Sequence, residues 1–190
     1  MSISLKKGEG ISLEKASPGL EAVFVGLGWD VNKSTGSDFD LDTSVFLLGE
    51  DGKLVSDSHF IYFNNLKSPD PDQSVEHMGD DLTGAGEGDD EVIIVNLKKV
   101  PNDVQKLTFV VTIYEAEKRG QNFGQVENAF VRLVNVKTKE EVLRYDLDED
   151  YSNKQSMIMA ELYRKNGQWQ MSAVGEGYEG DLGSVLNRYR

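Results

Sequence analysis

Nine short apolar segments, none longer than ten residues, set the limits on what this chain can fold into. They cover residues 20–29, 43–48, 59–63, 92–97, 107–114, 129–136, 141–147, 157–164 and 168–174. Each is rich in β-branched or aromatic residues, and each either alternates with period two or forms a brief continuous apolar run. Those are strand signatures, because an amphipathic helix needs a longer stretch with a 3.6-residue period. Clusters of Gly, Asn, Asp and Pro separate the segments, among them Gly49-Glu-Asp-Gly52, Asn64-Asn65 and Ser68-Pro-Asp-Pro71. Asn166-Gly167 predicts a two-residue hairpin, since both central positions of a type I′ turn need positive φ. The opening Met1-Ser-Ile-Ser-Leu-Lys6 reads as one more strand entering the fold. Helices are minor: a short piece within 117–125, and a closing helix over 181–189 with Leu182, Val185, Leu186 and Tyr189 on one face. The expected fold is therefore mainly all-β, a two-sheet antiparallel β-sandwich with a few short helices. No linker, repeat or low-complexity tract divides it, so residues 1–190 are expected to form a single domain.

A sandwich of this size buries a substantial core, and its charge narrows the partners. The 190 residues carry a formal net charge of −13, which argues against nucleic acid and anionic membrane as direct ligands. With no cysteine, disulfides, thiolate catalysis and zinc–thiolate sites are excluded. No apolar run is long enough for a transmembrane helix, so direct membrane insertion is not expected. No signal-peptide pattern opens the chain, and the cytoplasm is the expected compartment.

The acids are concentrated in two places. The run Gly79-Asp80-Asp81-Leu-Thr-Gly84-Ala-Gly86-Glu87-Gly88-Asp89-Asp90-Glu91 holds six carboxylates and four glycines, and no Lys or Arg occurs from Ser68 to Leu97. Carboxylates this dense repel one another unless water disperses them or a cation gathers them. Closely spaced glycines let the backbone turn tightly and offer carbonyl oxygens. The second segment runs from Asp30 to Asp38, Asp40 and Asp42. In an extended stretch those last three share a face, about 7 Å apart at each step. Many hard oxygen donors suit calcium better than magnesium, which keeps its water. With two histidines in the chain and no cysteine, zinc and iron are improbable.

Other readings of these residues compete. Asp38, Asp40 and Asp42 imitate the start of an EF-hand loop, but Thr43 stands where the turn glycine belongs, Gly49 stands at position twelve, and the flanks are strands. Thr83-Gly-Ala-Gly-Glu-Gly88 lacks the Gly-Lys-Ser/Thr ending of a phosphate loop and precedes a strand. A metal-dependent hydrolase using the clustered carboxylates, a calcium-dependent lectin and a calcium-gated docking module all stay open. So does a merely solvated loop. No Ser/His/Asp pattern is visible. Trp29 and Trp169 are expected in the core. His59 reads as a structural strand residue and His77 as a solvated loop histidine, with the orienting of a ligand as its alternative. Gln121, Asn122 and Gln125 are expected to bond the backbone of their own loop.

At these motifs the chain resembles the TerD family of tellurium-resistance and stress proteins, which includes calcium-binding members. The resemblance spans nearly the whole chain. Its carriers are Gly28-Trp29-Asp30, Phe39-Asp40-Leu-Asp42-Thr-Ser44, Phe63-Asn64-Asn65-Leu66, Ser68-Pro-Asp70, the Gly79-to-Glu91 run, Val110-Val-Thr-Ile-Tyr114, Gln121-Asn-Phe-Gly-Gln125, Arg144-Tyr145-Asp146-Leu147 and Glu161-Leu-Tyr163-Arg164. It implies a β-sandwich holding calcium in acidic loops at one end, without an established enzymatic reaction. It also implies a cytoplasmic setting and a stress-resistance system that includes a membrane partner. Three positions depart from the usual loop: Asp81 where Asn is common, Ala85 where Glu is common, and Glu87 where Asp is common. On this reading Asp30, Asp40 and Asp42 form one wall of a calcium site. Asp80, Asp81, Glu87, Asp89, Asp90 and Glu91 form the other, with carbonyls from Gly84 and Gly88.

Overall fold

The computed structural model describes residues 2–31, 40–79 and 89–190. Among these described residues, twelve strands form two six-stranded sheets. The first sheet contains β1 (Ile3–Leu5), β3 (Ala22–Val31), β6 (Val75–His77), β7 (Glu91–Asn96), β9 (Val126–Asn135) and β10 (Glu141–Asp146), in the spatial order β1-β10-β9-β3-β7-β6. The second contains β2 (Gly10–Ser12), β4 (Leu41–Leu48), β5 (Phe60–Ile61), β8 (Lys106–Ile113), β11 (Ser156–Lys165) and β12 (Gln168–Tyr178), in the order β2-β12-β11-β8-β4-β5. Every pairing is antiparallel except β1 with β10, which run parallel. The sandwich expected from the strand rhythm is thus observed, with this one parallel pair added. The Asn166-Gly167 hairpin also forms: φ is 52° and 73°, and Lys165 pairs directly with Gln168.

The alternation of side chains builds the core. Along β3, Val23, Val25 and Leu27 are fully buried between the sheets, while Phe24 and Gly26 take the outer face. The central strands of the second sheet are different, for β4 and β8 are buried almost without interruption. Their outer face is covered by the C-terminal segment. There α3 (Leu182–Leu186) and Tyr189 pack on Phe46, Leu48, Phe60, Val110 and Ile158. A strand covered on both faces reads as a continuous apolar run, and that is the pattern these segments show.

The closing helix, expected over 181–189, spans Leu182–Leu186, with Asp181 as its N-cap accepting from the Ser184 amide at 2.9 Å and Asn187 as its C-cap. The 117–125 piece resolves into α2 (Ala116–Arg119) and a 3-10 turn at Phe123–Gln125. That turn is fixed by a reciprocal capping box: Asn122 Oδ1 accepts from Gly124 N and Gln125 Oε1 from Asn122 N, each at 2.9 Å. One further short helix, α1 (Leu13–Ala16), and the three-residue strands β2 and β6 were not expected. Stretches of three or four residues are too brief to show a period. His59 ends a 3-10 turn, Asp57–His59, rather than opening a strand.

Candidate functional site

The end of β3, the start of β4, the end of β6 and the start of β7 lie together at one end of the sandwich. Register places them there, because β3 and β6 both run antiparallel to β7, pairing Leu27 with Glu91 and His77 with Ile93. These termini carry Asp30, Asp40, Asp42, Asp89, Asp90 and Glu91. Asp80, Asp81, Gly84, Glu87 and Gly88 lie outside the described residues, as does Asp38.

The three consecutive acids at the start of β7 have three different surroundings. Asp89 is buried on the outer face of the first sheet, where Arg132 of β9 grips both carboxylate oxygens at 2.8 Å through Nε and a terminal nitrogen. Glu141 approaches the same guanidinium at 3.4 Å. This carboxylate lies over Gly26, whose missing side chain makes the room. A Cβ there would stand 2.5 Å from Asp89 Oδ2.

Asp90 turns toward β3, and its Oδ2 accepts from the Trp29 amide at 2.7 Å. The residue is exposed, but partial desolvation pushes its carboxyl up from the ordinary value, against the pull of the Trp29 N–H; the neighbouring charges of Asp30, Glu91 and Asp89 add to the rise. Asp30 itself accepts from Asn128 Nδ2 at 2.8 Å. Trp29 packs against the core as expected.

Glu91 points between the sheets and reaches the second one. Its Oε2 accepts from the Thr43 amide of β4 at 2.8 Å and lies 3.3 Å from His77 Nε2. His77 is not a solvated loop residue: it ends β6 and is 4% exposed. Its Nδ1 accepts the Gly79 N–H at 2.9 Å, so Nε2 carries the proton and donates to the Thr43 carbonyl at 3.1 Å. Both ring nitrogens are therefore used. Glu91 and His77 together bind the amide and the carbonyl of a single residue, beyond the point where β5 stops pairing with β4 at Val45 and Phe46.

Asp40 is exposed just before β4, and its carbonyl accepts from Tyr114 N at 2.7 Å. Asp42 alternates with the inward-facing Leu41 and Thr43, so it faces the outer side of the second sheet, beside Thr112. The described acids thus surround one end of the sandwich on several faces. Among the described residues, no three His or carboxylate side chains converge closely enough to hold a metal by themselves. Arg132 was missed by sequence reasoning. Its one available signal is a lone cation at an outward position between the buried Val131 and Leu133, directly opposite Gly26.

Comparison with known proteins agrees with this architecture. The family model described as TerD domain matches residues 1–189. General stress protein 16U of Bacillus subtilis (strain 168) is 55% identical over 190 residues, covering 100% of this chain and 97% of that protein. Tellurium resistance protein TerD of Serratia marcescens is 53% identical over 189 residues, again covering 100% and 97%. Among solved structures, a homologue of telluride resistance protein from Streptomyces coelicolor A3(2) superposes with a TM-score of 0.65 at 20% identity, over 88% of this chain and 96% of the other. That likeness speaks for the fold alone. By the family model and by its relatives, the chain belongs to the TerD family, whose named members are tellurium-resistance and stress-response proteins.

Proposed function

We propose that this chain is a calcium-binding, non-enzymatic protein of a stress or tellurium-resistance response, and that its ion sits at the acidic end of the sandwich. The observation that carries the reading is the density of acids at the ends of β3, β4 and β7, where Asp90 feels the charges of both Asp30 and Glu91. The donors fit a hard ion. They are carboxylates and carbonyls, and the one nearby imidazole already spends both nitrogens on backbone groups, which disfavours a metal that seeks nitrogen. Asp30, Asp40, Asp90 and Glu91, with Asp42 at the rim, would supply one part of the ligand set. Asp80, Asp81, Glu87 and the carbonyls of Gly84 and Gly88 would supply the rest. Asp89 has a different part, anchoring the start of β7 through Arg132. When bound, calcium supplies positive charge to a cluster of like charges.

The hydrolase alternative finds no support in the named relatives or in the arrangement of these side chains. We place the protein in the cytoplasm, working with other proteins of a resistance system that includes a membrane component. Among the described residues, no helix is long and apolar enough to cross a membrane.

Calcium titration with a thermal readout tests the proposal. At a hundredfold excess over Kd, a ligand specific for the native state adds about 2.7 kcal/mol, or roughly 5–10 °C in Tm for a domain this size. Magnesium at equal concentration should give much less, and Asp90→Asn should remove most of the calcium shift. Equal shifts with both ions, or an undiminished shift in Asp90→Asn, would overturn it.

A further inference from the structure

A groove of about 1000 Å³ crosses the outer face of the second sheet, beside the acidic end but not identical with it. One wall is the turn from Tyr114 to Lys118; the other runs from Glu179 to Ser184, and Phe63 stands at the rim. Two properties of this groove are unusual together. The first is aromatic exposure. Phe63 and Tyr114 are 50% and 47% exposed, and they are two of the four large hydrophobic side chains that the described surface leaves in water. The second is charge: among the described residues, Asp42, Glu115, Glu117, Glu179 and Asp181 line the groove together with Lys118, and Lys154 approaches Glu179 from outside it at 3.4 Å.

Phe63 is also held in place. It is the last ring of a continuous row in which Tyr189 meets Phe46, Phe46 meets Phe60, Phe60 meets Tyr62 and Tyr62 meets Phe63, with centroids 5.0, 4.8, 4.4 and 5.1 Å apart. An exposed ring backed by packed neighbours loses little freedom when it is covered, as a binding anchor should. The wall around Tyr114 already takes cations from its own chain. Arg119 stacks over the Tyr114 ring at 5.5 Å and pairs with Glu115 at 3.6 Å, while Lys118 pairs with Glu115 at 3.1 Å.

We propose that this groove is a docking site for a basic, extended segment of a partner protein, one that alternates Arg or Lys with apolar side chains. Its apolar residues cover Phe63 and Leu182, and its cations reach Glu117, compete with Lys154 for Glu179 and stack on Tyr114. The complementarity is one of sign as much as of shape, so the interaction weakens as salt is added. It does not depend on the calcium reading.

The test must separate the groove from the general attraction of any cation to a chain of charge −13. The probe is a short amidated peptide alternating Arg with Leu, with its Glu–Leu counterpart as control, titrated by fluorescence anisotropy. Three proteins are compared: wild type, Glu117→Lys/Glu179→Lys in the groove, and Glu50→Lys/Glu140→Lys elsewhere, which changes the net charge by the same amount. The proposal expects at least a tenfold loss of affinity in the groove variant, at most a twofold loss in the remote one, and no binding of the acidic peptide. A Phe63→Ser variant should lose affinity with its Tm unchanged. Equal losses in both charge variants would reduce the effect to net charge and overturn the proposal. So would tight binding that ignores Phe63, or no binding of the basic peptide to wild type.

Discussion

Asp89, Asp90 and Glu91 are chemically near-equivalent neighbours, yet the fold gives them three different tasks. Asp89 is the most committed. Removing a partner from a buried pair leaves an uncompensated charge, which costs far more than the pair contributes. Arg132 is itself only 14% exposed at its side chain, so Arg132→Met should destabilise by about 3 kcal/mol, measured by urea unfolding. The Asp89→Asn/Arg132→Met double variant should recover part of that loss. Asp90 makes the opposite kind of statement. Its carboxyl binds a proton more tightly in the folded chain than in the unfolded one, because it is partly desolvated and ringed by Asp30, Glu91 and Asp89. Its contribution is complete below the unfolded value and is lost as pH rises through the raised folded value. In calcium-free buffer, Asp90→Asn should therefore gain Tm relative to wild type as pH rises from about 4 to 7. A constant difference across that window would contradict the assignment.

Elements were largely legible before their contacts were. The nine apolar segments correspond to β3, β4, β5 and β7 through β12, because alternation is a local signal that survives in each strand. The parallel pairing of β1 with β10 was not legible, since it joins Leu5 to Tyr145 and no local pattern encodes so distant a register. The acidic end was legible as composition, but not in detail. Asp89 meets Arg132 through a glycine on a neighbouring strand, and His77 is buried by the arrival of β4, so neither fact is written within ten residues of the residue concerned. The second sheet yields its own test. Val185 of α3 is 1% exposed against Phe46 and Ile158. Val185→Asp should cost about 3 kcal/mol through a buried unpaired carboxylate, and it should raise binding of a hydrophobic dye as the C-terminal segment lifts. Unchanged dye binding would mean the segment is not what covers that face.

At the scale of the molecule, the two sheets are joined by an apolar core along most of their length and by polar groups at one end. The core makes the sandwich rigid, and the polar end carries the charge that distinguishes the protein. The contact of Glu91 and His77 with Thr43 has another consequence for the assembled protein. A strand whose amide and carbonyl point outward with no neighbour is a template on which a second chain can add. Among the described residues β5 pairs with β4 only at Val45 and Phe46, and beyond that point Glu91 and His77 of the opposite sheet bond the amide and the carbonyl of Thr43. With its amide and its carbonyl both engaged, Thr43 offers no template at that position. Glu91→Ala/His77→Ala should accordingly form chain-to-chain oligomers in sedimentation velocity under conditions where wild type does not. The same acids that invite an ion would then also keep each molecule from growing into the next.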